Sequence, residues 1–351
     1  MTGTAHKFVP RPVRRLVARS YAEVVALEVR AILRRLVRSG RPVLAGPWFG
    51  EVGFELLYWV PFLRWVVEDM GLNPARVTIL SRGGPESWYR GIGTRYLDLF
   101  DQIEPREFRR RNERRRRELG QQKQIRPTSF DKEVVGWFRR EFGESEFDVL
   151  HPSLMYRLMQ PYWWRHVPDA WVHRHMRFAP LKSSLPIAGN AECGLLLPSS
   201  YVAVKFYFND CFRSTPENRA FVASTIRALA DTGPVVSLSK GVRVDDHGDG
   251  TSVVSSSSHV LEVPLTARNN LAVQTAVVSG ARAFVGTYGG FSYLAPFAGV
   301  SATAVWSERH KFDHRHLDLV QEALSLIDDA RLRITSVDGE EVCGNAGGTE
   351  V

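Results

Sequence analysis

The sequence has few cysteines, no long apolar run and none of the short motifs that assign a hydrolase or nucleotide-binding class directly. Three cysteines without a Cys-x-x-Cys pair exclude a disulfide scaffold and a cysteine-rich zinc module, and they fit a reducing cytoplasm. No stretch of about 18 apolar residues occurs, so we expect no membrane-spanning helix. The first residues lack the apolar core and cleavage site of a secretory signal peptide. P-loop, GxSxG and HExxH motifs are also missing.

The composition that remains is that of a folded, two-domain protein. The chain has 351 residues, of which 44% are hydrophobic and 24% are charged. At roughly 150 residues per domain, this length suggests two domains, each with its own core. The apolar fraction excludes wholesale disorder.

The net charge of +8 comes from two short segments. Residues 1–41 contain Lys7 and nine arginines against Glu23 and Glu28, and residues 105–126 contain ten basic residues against three glutamates. The rest of the chain is therefore net negative. Basic patches of this kind suit phosphates, anionic lipid headgroups or acidic polymers.

The first basic segment, residues 1–40, predicts an amphipathic helix from Pro12 to Gly40. Its apolar residues recur at roughly helical spacing, with arginines between them. Such a helix either lies on an anionic membrane surface or packs on a domain with its arginines in solvent. We expect a cytoplasmic protein, with peripheral attachment to the inner face of the membrane as the open alternative. The second basic segment is nearly devoid of apolar residues and predicts a loop or an exposed helix.

Strand-like and helix-like segments alternate through two halves of the chain. This alternation predicts an α/β fold with two Rossmann-like doubly wound domains that face each other across a cleft. We place the N-terminal domain at 41–180 and the C-terminal domain at 201–342. A linker rich in Pro, Gly and Ser spans 181–200, and 343–351 forms a flexible tail. Ligands of such domains bind at the carboxyl ends of the strands.

The most specific pattern is residues 281–307, where an apolar strand leads through glycines directly into a helix. The turn reads Gly286-Thr287-Tyr288-Gly289-Gly290. Glycines let a ligand approach the backbone, and a helix N-terminus offers free N–H groups to a diphosphate. Thr287, Ser292 and Tyr293 add hydroxyl donors. A tight turn without a ligand is the alternative.

This segment resembles the donor-site strand–turn–helix of GT-B glycosyltransferases, especially the ADP-heptose transferase group and, more distantly, the fucosyltransferases. The resemblance implies that Thr287, Tyr288, Gly289, Gly290 and the following helix hold the pyrophosphate of a nucleotide sugar. Those families often carry an acidic residue before the glycines, where this chain has Thr287-Tyr288. Residues 46–62 resemble the first loop of GT-B enzymes, which faces the acceptor.

Basic residues after two strands of the C-terminal half fit the same site. Lys205 and Arg213 follow the first strand and Lys240 follows the next, and a cation there neutralises a leaving diphosphate. The alternative for each of these residues is an ordinary surface charge at the end of a strand, with no ligand to bind.

Three residues of the N-terminal half are candidates for the catalytic base that removes the acceptor proton: Glu51, Glu55 and His151. Glu51 ranks first because it lies in the glycine-containing turn. Glu55 is alternatively a helix cap, and His151 is alternatively a structural histidine.

The sequence therefore predicts a GT-B glycosyltransferase that moves a sugar from a nucleotide-sugar donor to a glycan or lipid-linked acceptor. The resemblance places it in surface polysaccharide biosynthesis. The nucleotide sugar is a substrate, and we expect neither a cofactor nor a metal because no DxD follows a strand. Two alternatives stay open: a sugar-nucleotide 2-epimerase of the same fold, and a non-catalytic protein that binds phosphate or nucleic acid. Nucleic acid is disfavoured because the arginine tract is not interleaved with aromatics.

Overall fold

The computed structural model describes residues 10–143, 146–181, 197–238, 248–249, 259–308, 314–327 and 331–340. These residues form two α/β domains, each built on a sheet of parallel strands. The predicted fold class, two Rossmann-like domains with a basic N-terminal helix, is confirmed. The domain boundaries stay predictions, since most of the linker and the whole tail lie outside the described residues.

The N-terminal domain has a four-stranded parallel sheet. Its strands are Val43–Ala45 (β1), Val77–Ser81 (β2), Arg95–Asp98 (β3) and Asp148–Leu150 (β4). They lie in the order β3-β2-β1-β4, so the strand order reverses at β1. The helices are Arg11–Arg38 (α1), Val52–Phe54 (α2), Val60–Glu68 (α3), Pro105–Leu119 (α4), Ser129–Trp137 (α5), Ser153–Trp163 (α6) and Ala170–His173 (α7). A π-helical segment, Glu55–Trp59, joins α2 to α3.

The C-terminal domain has a six-stranded parallel sheet. Its strands are Val202–Lys205 (β5), Val235–Ser237 (β7), Val260–Glu262 (β9), Ala283–Thr287 (β10), Ala302–Trp306 (β11) and Leu332–Ser336 (β12). Tyr207–Phe208 (β6) and Gly248–Asp249 (β8) form a separate antiparallel pair. The helices are Pro216–Thr232 (α8), Asn270–Gly280 (α9), Gly290–Phe297 (α10) and His314–Ser325 (α11). The sheet order β12-β11-β10-β5-β7-β9 reverses between β5 and β10.

The carboxyl ends of the two sheets meet. The carbonyl of Gly83, just after β2, accepts the first-turn N–H groups of α9 from Leu271 (2.7 Å) and Ala272 (3.1 Å). Gly290, at the start of α10, lies against Gly53 in α2, so closely that a Cβ on Gly290 would approach the Gly53 nitrogen to 2.6 Å. The loops after β1, β2 and β10 are therefore in direct contact where the domains face each other.

The predicted N-terminal helix is confirmed, and it packs on α6 of the N-terminal domain. Its buried face consists of Ala22, Val25, Ala26, Val29, Leu33 and Leu36. The Arg76 guanidinium donates to the carbonyls of Leu36 and Val37, which satisfies two C-terminal acceptors of the helix. None of the described helices combines the length and hydropathy of a membrane-spanning segment.

The arginine tract is a helix, α4, and one face of it is buried. Pro105 stands at its first position, and Gly120 ends it in the left-handed conformation (φ 66°). Phe108 packs edge-on against Phe49 and Phe100. The Arg115 guanidinium lies over the Phe49 ring, and burial lowers its pKa. The tract is thus a helix, as one of the two alternatives predicted, but one face of it packs on the N-terminal core.

Candidate functional site

In the C-terminal domain, the structure brings the predicted donor residues to the point where the strand order reverses. Lys205 ends β5 and Thr287 ends the neighbouring strand β10, with Gly286 directly opposite Lys205. The turn Tyr288-Gly289 follows at once and α10 begins at Gly290. This is the crevice in which open α/β sheets bind ligands.

Two predicted hydroxyl donors hold the turn itself. Thr287 Oγ1 donates to the Tyr207 carbonyl (2.8 Å) and accepts the Tyr207 N–H (3.0 Å). Ser292 Oγ donates to the Gly289 carbonyl (2.7 Å) and accepts the Gly289 N–H (3.1 Å). Both side chains are fully buried. Each hydroxyl proton is therefore used within the turn, since a hydroxyl has only one to donate. That these side chains also contact a diphosphate stays a prediction.

Both glycines of the turn are required by close contacts. Gly289 has a φ of 147°, and a Cβ there would overlap the Tyr207 hydroxyl. Gly290 touches Gly53 of the other domain. A side chain at Gly290 would separate the domains, so its substitution would test domain packing as well as ligand binding.

Tyr288 and Tyr293 are buried where the two domains touch. Their rings pack edge to face at 5.6 Å, and the Tyr293 ring lies beside Gly53. Burial and the neighbouring Tyr288 raise the pKa of Tyr293 well above its ordinary value. Both side chains therefore pack in the contact between the two domains.

Two of the three basic residues predicted to bind the diphosphate lie in the described part of the chain. Lys205 Nζ donates to the Leu238 carbonyl (3.0 Å) and to the Gln274 side-chain oxygen, and lies 4.3 Å from the centre of the Phe291 ring. It is therefore held directly beside α10. Arg213 is exposed and lies in the loop before α8. A backbone hydrogen bond joins this loop to the residue after β11. Lys240 lies outside the described residues.

Glu51, at the start of α2, lines a small pocket of about 60 Å³ in the N-terminal domain. The other lining residues are Phe49, Gly50, Phe54, Arg116, Gln122, Lys123 and Tyr156. Lys123 Nζ lies 4.1 Å from the centre of the Trp163 ring and 5.1 Å from that of Phe54. The pocket thus combines a carboxylate, two cations and aromatic walls. Such a set can accept a proton from a hydroxyl and hold an anionic group beside it.

Glu55 is enclosed rather than presented to the pocket. It is the first residue of the π-helical segment, and its Oε1 accepts the hydroxyls of Ser81 (2.6 Å) and Tyr89. Its Oε2 is buried without a hydrogen-bond partner. Burial raises the pKa of Glu55 to about 7, against the opposing charge of Arg82. Neither carboxylate oxygen of Glu55 accepts a backbone N–H of the helix, so the alternative as a cap is wrong.

His151 is a structural residue here. Its Nδ1 accepts the Ser153 N–H (3.1 Å), and its Nε2 is 2.9 Å from Asp131 Oδ1. Both ring nitrogens are engaged, which leaves neither to act as a base. Asp131 also accepts from Gln124, whose Oε1 accepts the N–H of Phe49 (2.9 Å). His151 therefore helps to hold the loop that forms one wall of the Glu51 pocket.

Sequence reasoning missed the cations of this pocket. Arg116 and Lys123 were within the arginine tract, but no local pattern indicates that they face Glu51. Arg82 was missed as well; it donates to the Gly50 carbonyl and so anchors the loop that carries Glu51. Within the described ranges, no group of three or more His, Cys, Asp or Glu side chains could hold a metal ion. Transfer without a metal stays a prediction.

No family model and no curated protein matches the sequence. Among solved structures, the chain is similar to E. coli heptosyltransferase WaaC with ADP at 11% identity and a TM-score of 0.44, over 85% of this chain and 94% of that one. It is similar to E. coli ADP-heptose LPS heptosyltransferase II at 12% identity and a TM-score of 0.42, over 84% and 90% of the two chains. For UDP-GlcNAc 2-epimerase from Methanocaldococcus jannaschii the values are 8%, 0.36, 75% and 83%. Likeness this distant carries no conclusion about reaction or substrate. The two parallel sheets with facing carboxyl ends are the arrangement that the GT-B resemblance implies.

Proposed function

We propose that the protein is a glycosyltransferase of the GT-B type. A nucleotide-sugar donor binds at the reversal point of the C-terminal sheet, and the hydroxyl of the acceptor binds in the Glu51 pocket. The observation that supports this most directly is the meeting of the two sheets at their carboxyl ends, because open α/β sheets bind ligands at that end of their strands. The acceptor is a glycan or a lipid-linked glycan, and the setting is surface polysaccharide assembly at the cytoplasmic side of the membrane.

The transfer is a displacement at the anomeric carbon of the donor sugar. Glu51 takes the proton of the acceptor hydroxyl as its oxygen forms the new glycosidic bond. The bond to the nucleoside diphosphate breaks, and the leaving oxygen carries away the bonding pair. Backbone N–H groups at the start of α10 and the Lys205 ammonium stabilise that negative charge.

The donor half of the proposal is tested by replacing Lys205 with methionine. We expect Lys205→Met to weaken binding of the nucleotide sugar by about tenfold to 10²-fold, because one charged contact to the diphosphate is lost. The donor is first chosen by thermal shift from UDP-, GDP-, ADP- and CMP-linked sugars, and its affinity is then measured by titration calorimetry. Lys132→Met, an exposed lysine on α5, is the matched control.

Two outcomes contradict the donor assignment. One is that no nucleotide sugar shifts the melting temperature of the wild-type protein. The other is a folded Lys205→Met variant that binds the donor as tightly as wild type does. Conversion of the donor sugar without any acceptor would instead favour the 2-epimerase.

The acceptor half is tested at the two pocket cations. We expect Arg116→Gln and Lys123→Gln each to raise the KM for an anionic acceptor by about tenfold while kcat changes little, since a uniform binding contact is lost. Arg117→Gln is the control, because Arg117 is the exposed neighbour on the same helix. Equal effects of all three variants would show a general loss of positive charge and would contradict a specific pocket.

A further inference from the structure

The helix α1 has two apolar faces on opposite sides. The residues that pack on the domain, such as Ala22 and Val29, share one side. A second set of apolar side chains is exposed: Val13 (46%), Leu16 (66%), Val17 (62%), Val24 (52%) and Leu27 (63%). At 100° per residue, these five fall within an arc of about 100° opposite the buried face, along about 21 Å of helix. Burial in the domain therefore leaves an apolar stripe uncovered, interrupted by the exposed Ser20.

Positive charge accompanies the exposed stripe. Exposed arginines flank it at Arg14 and Arg19, and at the C-terminal end of the helix Arg34, Arg35 and Arg38 are exposed. Both acidic residues of α1 are paired with the domain: Glu23 with Arg174 (2.8 and 3.0 Å), and Glu28 with Arg157. The outward side of the helix is consequently both apolar and basic.

An anionic lipid surface is the partner that fits both properties. Apolar side chains enter the boundary between headgroups and acyl chains, and arginines bind the lipid phosphates. A second copy of the chain fits less well, because a twofold contact through this stripe would bring the same arginines of both copies together. The tie from Arg76 to the end of α1 keeps the helix fixed to the domain, so the stripe is presented as a rigid surface.

We propose that the exposed stripe of α1 docks the protein on an anionic membrane surface, with the helix axis parallel to that surface. This attachment does not depend on the transferase proposal. It places the body of the N-terminal domain, through α6, directly above the lipid headgroups.

The test is co-sedimentation of the full-length protein with phosphatidylcholine vesicles that contain or lack phosphatidylglycerol. We expect binding to the anionic vesicles alone. Leu16→Ser combined with Leu27→Ser should weaken this binding at least about tenfold, because two side chains no longer enter the lipid. Leu326→Ser in the C-terminal domain, at a leucine that is also 63% exposed, should change nothing. Circular dichroism and thermal melting verify that each variant is folded.

A separate variant tests the contribution of positive charge to membrane binding. Replacing Arg34, Arg35 and Arg38 with glutamine should lower binding to anionic vesicles by about tenfold or more and flatten its dependence on salt. Absence of wild-type binding, or binding that survives the double leucine substitution, would overturn the proposal. So would a wild-type dimer in light scattering that the leucine substitutions convert to a monomer, since a second copy would then cover the stripe.

Discussion

Replacing Glu51 with glutamine is expected to lower the kcat of the proposed transfer by about 10²–10⁴-fold, the usual contribution of a general base. The amide keeps the size and hydrogen-bonding reach of the side chain but cannot take up the acceptor proton. Donor affinity should stay close to that of wild type, because Glu51 lies in the N-terminal pocket and not at the α10 turn. Initial rates at saturating substrate, together with donor titration, measure the two effects separately.

The control for Glu51 is an exposed glutamate in a different pocket of the same domain. Glu86 lines a cavity of about 290 Å³ with Tyr89 and Tyr96, and Ala272 of the other domain contributes to its wall. If Glu86→Gln lowers kcat while Glu51→Gln does not, the acceptor binds in this larger cavity and the assignment of the base is wrong.

The second large effect concerns stability and the buried Glu55. We expect the free energy of unfolding of the wild-type protein to fall by about 3 kcal/mol, relative to Glu55→Gln, as the pH rises from about 4.5 to about 7. The ordinary pKa of the carboxyl is 4.5, and burial raises it to about 7 in the folded protein. Between these values the folded state keeps a proton that the unfolded state releases, so raising the pH favours unfolding. The contribution is complete below pH 4.5 and is lost once the pH passes about 7.

Urea unfolding at several pH values between 5 and 8 measures this difference. Glutamine cannot ionise, so the Glu55→Gln variant should lack this component of the pH dependence. Glu86→Gln, at an exposed position, should follow wild type. Parallel stability curves for wild type and Glu55→Gln would contradict the raised pKa.

The same carboxyl connects stability to the candidate site. Glu55 accepts hydroxyls from Ser81, at the end of β2, and from Tyr89, so it ties the segment after β1 to the strand beside it. Arg82, which follows Ser81 in the chain, donates a hydrogen bond to the carbonyl of Gly50, the residue before Glu51. Glu55 is therefore part of the frame that fixes the proposed base.

Elements with a strong local pattern could be predicted from the sequence. The N-terminal helix, found at Arg11–Arg38, and the strand–turn–helix at 283–297 both appear within a few residues of where the sequence predicts them. Three other elements had no adequate pattern. The edge strand β3 is short and charged, α6 contains Pro161, and β12 alternates arginine with apolar residues near the end of the chain. In these cases packing against the rest of the domain overrides weak local preference.

By itself, the sequence determined the elements with a strong local pattern and where glycine must stand in the turn, because both depend on neighbours within about one or two helical turns. Only the tertiary structure decided what the candidate site residues do. Thr287 binds the backbone of Tyr207, His151 binds Asp131, and Gly290 touches Gly53. These partners are not neighbours along the chain and meet only when the sheets form and the domains pack together. The same long-range packing buried Glu55 and left Glu51 beside Arg116 and Lys123, which is why burial and not motif separated the candidate bases.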